Sequence, residues 1–303
     1  MDKLKIFICT TLRDFNNTRN DEIQKLFLKS IENQTYKNIE LLISLFGEKN
    51  VQDEIRKYSF KSVFFQNKLD NYKYSHTSVV SNALKYANSQ ATEYILLWTT
   101  ADVIYPIDFF EKVLKNYYNR PTMGTSHPHE LYESITDFQN NKKKKNKTNL
   151  FSGFDLLYFD SKFLNNPLVN NFITNVYFYN WGIFEHFLIS LNEFVDNVTM
   201  INLYEEVKCY KIENNRKLTN ETNNFLVESH KINSETFLNF LKENKITLNY
   251  FDLAFCNLKF KTTKSNLRYY LYFSTDILQY LQRKVYRGLS SLIPANFKRI
   301  FKK

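Results

Sequence analysis

The chain has 303 residues, of which 43% are hydrophobic and 17% aromatic, and its formal net charge at pH 7 is +10. This composition excludes a disordered chain, and the length allows one large domain, or one and a half, with an extensive core. Much of the excess charge is local, at Lys142 to Lys147 and in the last few residues, so it is either a solvated basic surface or a surface for a polyanion.

The cysteines and the apolar runs indicate the cellular setting. Cys9, Cys209 and Cys256 are far apart and show no metal-ligand spacing, which predicts reduced, mostly buried thiols. No apolar run approaches the roughly 18 residues that cross a bilayer, and the first apolar run is too short for a signal peptide. We expect a cytoplasmic protein, soluble or peripheral on the inner face of the membrane.

The first half of the chain alternates apolar runs with amphipathic stretches. The runs predict strands at Leu4 to Cys9, Ile39 to Leu45, Ser62 to Phe65 and Tyr94 to Trp98, and the stretches predict helices at Asp21 to Ile31, Val51 to Tyr58 and Ser78 to Asn88. Because the connections are short, this alternation predicts an α/β fold with a mostly parallel, Rossmann-type sheet flanked by helices.

Polar residues follow two of these strands. The first strand ends in Thr10, Thr11 and Arg13, and the fourth ends in a turn that contains Asp102. Open α/β sheets bind ligands at the carboxyl ends of their strands, so these residues are candidates for a binding site. Pro106 predicts the start of a helix, and the alternative role of Asp102 is therefore to cap that turn or helix.

The second half is less regular. Strands are predicted at Leu156 to Phe159, Val198 to Leu203 and Val207 to Ile212, and a helix from Ser234. Asp137 to Lys147 predicts a polar, lysine-rich loop, which is either solvated or closes over a diphosphate. The histidines are open candidates: His127 and His129 form a metal pair or are loop or core residues, and His230 is a candidate donor to phosphate or metal.

Three segments of the first half carry a resemblance to a known family. They are Ser30-Ile31-Glu32-Asn33-Gln34-Thr35-Tyr36-Lys37-Asn38-Ile39-Glu40-Leu41, Ala87-Asn88-Ser89-Gln90-Ala91-Thr92-Glu93-Tyr94-Ile95 and Asp102-Val103-Ile104-Tyr105-Pro106. They resemble the S-x-x-x-Q-T-Y-x-N-x-E-[IL], A-x-G-E-Y-I and D-x-I-x-P segments of family-2-type glycosyltransferases, in the same order. The resemblance implies a GT-A fold and a nucleotide-sugar donor, bound here by Thr10, Thr11, Arg13 and Asp102.

The acidic metal motif of that family is incomplete in this chain. Its D-x-D-D aligns with Thr99-Thr100-Ala101-Asp102, and Leu45-Phe46-Gly47 stands where the family has an Asp that contacts the base. Hard cations bind through one or two carboxylates together with substrate phosphates and water. The resemblance therefore implies Mn²⁺ or Mg²⁺ held by Asp102, while the missing acids leave open a catalytically inactive, GT-A-like binding or scaffold protein.

A further segment resembles the catalytic helix of inverting members. Gly182-Ile183-Phe184-Glu185-His186 is similar to the start of their G-x-x-E-D-x-x-L, with Glu185 at the E and His186 at the D. An acceptor hydroxyl loses its proton as it attacks the anomeric carbon, and a carboxylate or an imidazole accepts that proton. Glu185 or His186 is therefore the predicted base of an inverting transfer, or else both are ordinary polar positions on an amphipathic helix.

The resemblance also suggests the domain order and the partners. We expect a GT-A-like domain over residues 1–220, with a nucleotide-sugar half (1–122) and an acceptor half (123–220), and a mainly helical C-terminal extension over 221–303. The expected acceptor is a hydroxyl of a glycan or a lipid-linked molecule in bacterial surface polysaccharide synthesis. The basic residues 267–303 form an amphipathic helix on an anionic membrane, or a helix packed on the catalytic domain. No nucleic acid partner is expected, because the basic residues follow no RNA- or DNA-binding pattern.

Overall fold

The computed structural model describes residues 4–68, 76–115, 117–118, 120–126, 130–142, 155–177, 195, 197–203, 207, 209–212, 233, 236 and 239–245. All of them belong to one compact unit formed by residues 1–147 and 153–257. The predicted C-terminal extension and its basic tail lie almost entirely outside the described residues.

The strands form two sheets. In chain order they are β1 (Lys5–Thr11), β2 (Ile39–Leu45), β3 (Lys61–Gln66), β4 (Tyr94–Thr99), β5 (Val103–Ile104), β6 (Thr122–Ser126), β7 (Glu130–Tyr132), β8 (Leu156–Asp160), β9 (Thr199–Asn202) and β10 (Tyr210–Ile212). The main sheet has seven strands in the order β3-β2-β1-β4-β8-β6-β9, and β5-β10-β7 form a small sheet. Every pairing in the main sheet is parallel except those of β8 with β4 and β6. The prediction of a mostly parallel sheet is therefore confirmed.

Helices cover both faces of this sheet. They are α1 (Arg19–Glu32), α2 (Val51–Ile55), α3 (His76–Gln90), α4 (Phe109–Leu114), α5 (Ile135–Gln139), α6 (Ser161–Leu164) and α7 (Pro167–Asn175). Successive side chains of a strand point to opposite faces. Ile6 and Ile8 of β1 accordingly share a core with Phe27 of α1, whereas Phe7 packs edge-on against Tyr86 of α3, with ring centroids 6.0 Å apart. Burial on both faces explains why the central strands are continuous apolar runs.

The turn after β4 differs from the prediction. The helix that follows it begins at Phe109 and not at Pro106, and the two-residue strand β5 lies in between. The carbonyl of Pro106 accepts a hydrogen bond from Gln34 Nε2 at 2.7 Å, and that of Ile107 accepts one from the Thr35 amide at 3.0 Å. These bonds hold Pro106 and Ile107 against the end of α1, outside the helix.

The predicted polar loop from Asp137 to Lys147 is wrong at its start. Asp137 belongs to α5, whose amino end is capped by Ser134: the Ser134 hydroxyl oxygen accepts a hydrogen bond from the Asp137 amide at 3.0 Å. Such caps satisfy one of the unpaired amides of a helix's first turn. Lys143 to Lys147 lie outside the described residues.

Two of the cysteines have the state predicted for them. Cys9 and Cys209 are free, buried thiols, and burial raises the pKa of the Cys9 thiol well above its ordinary value, because the thiolate would be poorly solvated. Cys256 lies outside the described residues. Among the helices that the structure describes, none has both the length and the apolar character needed to cross a membrane.

Candidate active site

The strand order reverses on the two sides of β1. The chain passes from β1 to β2 and β3 on one side and then crosses back to β4 on the other. The loops that follow β1 and β4 therefore begin side by side at the carboxyl ends of two adjacent strands, at the point where the order reverses. Such switch points are where open α/β sheets bind ligands.

Thr10 joins the two strands that flank this switch point. Its side chain is only 1% exposed, and its hydroxyl donates a hydrogen bond of 2.7 Å to the carbonyl of Thr99 at the end of β4. This bond holds the ends of β1 and β4 together. Thr11, the last residue of β1, is partly exposed at the same edge.

The loop after β1 presents Arg13 on a fixed backbone. The Arg13 amide donates to Gln24 Oε1 of α1 at 2.7 Å, and Gln24 Nε2 donates to the Arg13 carbonyl at 3.2 Å. The Arg13 side chain itself is exposed. The structure thus places an exposed guanidinium beside the switch point while the main chain beneath it is held by two hydrogen bonds.

The loops after β1 and β2 are tied to each other. Asp14 Oδ1 accepts hydrogen bonds from the amides of Lys49 at 2.7 Å and Asn50 at 3.0 Å. In return, the Asn50 side chain bonds the backbone of Phe15, with Oδ1 accepting from its amide at 2.7 Å and Nδ2 donating to its carbonyl at 2.8 Å. This edge of the sheet is therefore rigidly built on the Arg13 side.

On the other side of the switch point, pairing of strands brings together Asp102, Asp155 and Lys211. Asp102 lies between β4 and β5. Because β10 pairs antiparallel with β5, Lys211 stands opposite Val103, next to Asp102. Asp155 directly precedes β8, and the antiparallel pairing of β8 with β4 puts that residue at the carboxyl end of β4.

The Lys211 ammonium bridges the two carboxylates. Its Nζ lies 2.6 Å from Asp155 Oδ1 and 3.4 Å from Asp102 Oδ2, and the three side chains are 15 to 18% exposed. Burial alone would lower the pKa of Lys211, but the charges of Asp155 and Asp102 outweigh it and raise that pKa above its ordinary value. Lys211 is therefore a permanent cation within this Asp102–Lys211–Asp155 cluster.

Neighbouring hydroxyl groups support the cluster. The Thr100 amide donates to the Asp155 carbonyl at 3.2 Å, and the Thr100 hydroxyl lies 3.4 Å from Asp155 Oδ1. The buried Tyr105 hydroxyl donates to Thr99 Oγ1 at 2.6 Å. Burial raises the pKa of Tyr105 well above its usual range, and the nearby charges of Asp155 and Asp102 act in the same direction. Tyr105 is thus a neutral donor that fixes the end of β4.

A divalent cation at Asp102 does not fit this arrangement. The ammonium of Lys211 already occupies the space between the carboxylates of Asp102 and Asp155 and would repel a second cation there. Within the described part of the chain, no group of three or more His, Cys, Asp and Glu side chains is placed to hold a metal ion. The metal site implied by the family resemblance therefore disagrees with the residues around Asp102.

Gln34, in the segment with the Q-T-Y resemblance, connects α1 to the chain that follows this cluster. Its side chain is 1% exposed, and Nε2 donates to the carbonyls of Ser30 at 2.8 Å and Pro106 at 2.7 Å, while Oε1 accepts from the Phe110 amide at 3.3 Å. The first and third of the resembling segments therefore contact each other directly.

The structure groups some predicted site residues and leaves others untested. Thr10, Thr11 and Arg13 lie at the end of β1, and Asp102 follows the adjacent strand β4. The remaining candidates lie outside the described residues; they are Glu185, His186, His127, His129 and His230.

Sequence reasoning did not find Asp155 and Lys211. Asp155 stands directly before a predicted strand, but nothing in the sequence shows that this strand runs antiparallel to β4. Lys211 stands between apolar neighbours in a strand of three residues, where a lysine ordinarily marks the solvated face. Its partners stand next to other strands, Asp102 directly before β5 and Asp155 directly before β8, so only the sheet pairing reveals the cluster.

Comparisons with known proteins give weak similarities. No family model matches the chain, and no curated protein matches it. A mannosyltransferase from Pyrobaculum calidifontis, solved in complex with GDP-Man and Mn²⁺, is 10% identical over 97% of this chain and 82% of its own, with a TM-score of 0.48. The inositol-1-phosphate CTP transferase from T. maritima is 8% identical over 81% of this chain and 98% of its own, with a TM-score of 0.43.

A third similar structure is the 4-diphosphocytidyl-2C-methyl-D-erythritol synthase from Anaerococcus prevotii. It is 12% identical over 76% of this chain and 96% of its own, with a TM-score of 0.41.

Proposed function

We propose that the protein is a glycosyltransferase that binds a nucleotide-diphosphate sugar at the carboxyl ends of β1 and β4. The main support is the switch point itself, which has the exposed Arg13 on one side and the Asp102–Lys211–Asp155 cluster on the other. The Q-T-Y and D-x-I-x-P segments, which resemble those of family-2-type enzymes, contact each other through Gln34 and Pro106. The proposed fold type is accordingly GT-A-like.

Charge assigns different roles to the two sides of the switch point. The cluster contains two carboxylates and one ammonium, so its formal charge is −1. Arg13 is an exposed cation, and a guanidinium binds phosphate oxygens through two parallel hydrogen bonds. We assign Arg13 and Thr11 to binding of the diphosphate. The carboxylates of the cluster would accept hydrogen bonds from hydroxyl groups of the nucleotide sugar.

The transfer step requires a general base, and the two candidates predicted from the sequence lie outside the described residues. We assign this role to Glu185 or His186, which would take the proton of an acceptor hydroxyl as that oxygen attacks the anomeric carbon. Attack from the face opposite the leaving diphosphate inverts the configuration at that carbon. The acceptor in this proposal is a glycan or a lipid-linked molecule of a bacterial surface polysaccharide.

Donor binding is tested by calorimetric titration with UDP, GDP, CDP and dTDP and their sugar conjugates. Arg13→Gln should weaken the binding of the preferred nucleotide by about tenfold to a hundredfold, the value of a charge-assisted hydrogen bond or a bidentate pair. Arg56→Gln is the matched control, because Arg56 is an exposed residue at the end of α2. Equal nucleotide affinities of wild type and Arg13→Gln would show that Arg13 does not bind the nucleotide.

The transfer step has its own test. Glu185→Gln or His186→Asn should lower turnover by about 10²–10⁴-fold, the usual contribution of a general base, while nucleotide affinity stays unchanged. A wild-type protein that binds the nucleotide sugar and transfers nothing to any glycan or lipid-linked acceptor would instead favour the scaffold alternative.

A further inference from the structure

We infer that Lys211 is the built-in cation of this site, standing between Asp102 and Asp155 where a divalent metal ion would otherwise stand, so that the ligand binds without metal. The identity of that ligand as a nucleotide diphosphate rests on the proposed function. The role of Lys211 as the resident cation does not.

The contacts of Lys211 are those of a bridging cation. A single nitrogen lies 2.6 Å from one carboxylate and 3.4 Å from the other, and so holds together two acids that would repel each other without it. An ammonium has three N–H donors. Two of these donors face the carboxylates of Asp155 and Asp102, and we assign the third to an oxygen atom of a ligand.

The backbone fixes the position from which the Lys211 side chain reaches the carboxylates. Lys211 lies in the middle of β10, which pairs antiparallel with β5 on one side and parallel with β7 on the other. The strand that carries Lys211 is thus anchored on both edges. A metal ion entering between the carboxylates would have to displace the ammonium by rotation of the Lys211 side chain alone, with the loss of both carboxylate contacts.

The charges of Asp102 and Asp155 also favour the Lys211 ammonium over a metal ion at this position. A lysine that is mostly buried without partners loses its proton, whereas the two aspartates raise the pKa of Lys211 and keep it charged. The cation is therefore present at every physiological pH and needs no metal supply. A divalent ion added beside it would meet a fixed like charge at contact distance.

Removal of the ammonium should create a metal site. In Lys211→Met the carboxylates of Asp102 and Asp155 lose their shared cation, and carboxylate pairs of this kind bind Mn²⁺. We expect Mn²⁺ at about 100 times its Kd to raise the Tm of Lys211→Met by about 5 °C relative to EDTA. The wild-type Tm should not change between Mn²⁺ and EDTA.

Lys5→Met is the matched control. Lys5 forms an ion pair of 2.5 Å with Glu40, whose side chain is 6% exposed, so this variant also leaves a buried carboxylate without its lysine. It does not leave two carboxylates facing each other, and Mn²⁺ should not stabilise it. Stabilisation of Lys5→Met equal to that of Lys211→Met would overturn the inference, because any orphaned carboxylate would then suffice.

A wild-type measurement keeps the inference testable if Lys211→Met does not fold. Both the wild-type protein and Asp102→Asn are titrated with Mn²⁺, and the free ion is measured by electron paramagnetic resonance. The two proteins should bind the same amount of Mn²⁺. Mn²⁺ binding that is present in the wild type and lost in Asp102→Asn would place the metal at the cluster and overturn the inference.

Nucleotide binding in EDTA separates this inference from the proposed function. Equal nucleotide affinity in EDTA and in Mn²⁺ supports the inference, and affinity that EDTA abolishes contradicts it. No nucleotide binding in either condition contradicts the proposed function, while the Mn²⁺ titrations of wild type and Lys211→Met still decide the role of Lys211.

Discussion

Replacement of Gln34 by leucine tests how the chain around the site is held. The side chain is buried and makes hydrogen bonds to Ser30, Pro106 and Phe110, at 2.8, 2.7 and 3.3 Å. Leucine has nearly the same size but no polar atoms, so three backbone groups lose this partner. At about 1 kcal/mol for each bond, Gln34→Leu should lower the free energy of unfolding by about 3 kcal/mol.

The loss is measured by urea unfolding followed by circular dichroism. The corresponding fall in Tm is about 6–12 °C, using the sensitivity of domains of roughly this size. Gln90→Leu is the control, because Gln90 is exposed at the end of α3 and bonds only the neighbouring Ser89 among the described residues. It should change stability by less than about 0.5 kcal/mol. Equal losses in the two variants would refute the idea that Gln34 fixes the Pro106 segment.

Two further predictions concern acid stability and the C-terminal tail. Asp21 accepts hydrogen bonds from the amides of Asn16 at 2.6 Å and Thr18 at 2.7 Å; burial opposes ionisation, but these bonds prevail and lower the pKa of Asp21 below its ordinary value. Its stabilisation is therefore complete above the unfolded-state pKa and is lost as the pH falls through the lower, folded-state pKa. Asp21→Asn should destabilise the protein by about 1.5–3 kcal/mol at pH 7 in urea unfolding and show a difference that vanishes in strong acid. Glu22→Gln, at the exposed neighbouring position, is the control and should change stability at pH 7 by less than about 0.5 kcal/mol. Truncation before Leu267 should reduce sedimentation with anionic vesicles if the basic tail binds membranes, and unchanged sedimentation would rule that role out.

The central strands could be predicted because the chemistry that forms them is local. The apolar runs of β2 and β4 are buried on both faces, and the run Ile39–Leu45 has the observed bounds of β2. The strand ends follow from the same pattern, so Arg13 and Asp102 could be expected at one edge of the sheet. The order of the strands along the chain and the polar residues that follow them are therefore enough to predict this part of the candidate site.

The rest of the site depends on pairing between distant strands. Asp155 reaches the edge near Asp102 only because β8 runs antiparallel to β4, and Lys211 reaches it only through the pairing of β10 with β5. Neither orientation changes the apolar pattern of the strand concerned. The sequence therefore shows one acid where the fold assembles two acids and a lysine.

The role of Gln34 could not be predicted from the sequence either. The Q-T-Y segment stands out in the sequence by its resemblance to a family of enzymes, which suggests a role in binding or chemistry. In the structure, Gln34 is buried and bonds only backbone groups among the residues described. Its contribution to the site is positional, since it holds the chain that follows Asp102.

The most direct test is a crystal structure with the nucleoside diphosphate that binds best in the titrations, grown in EDTA. The diphosphate should lie between the loops that follow β1 and β4, within hydrogen-bond distance of the Arg13 guanidinium, with the Lys211 ammonium still between the two aspartates. A nucleotide bound elsewhere, or none at this edge at saturating concentration, would contradict the proposed site.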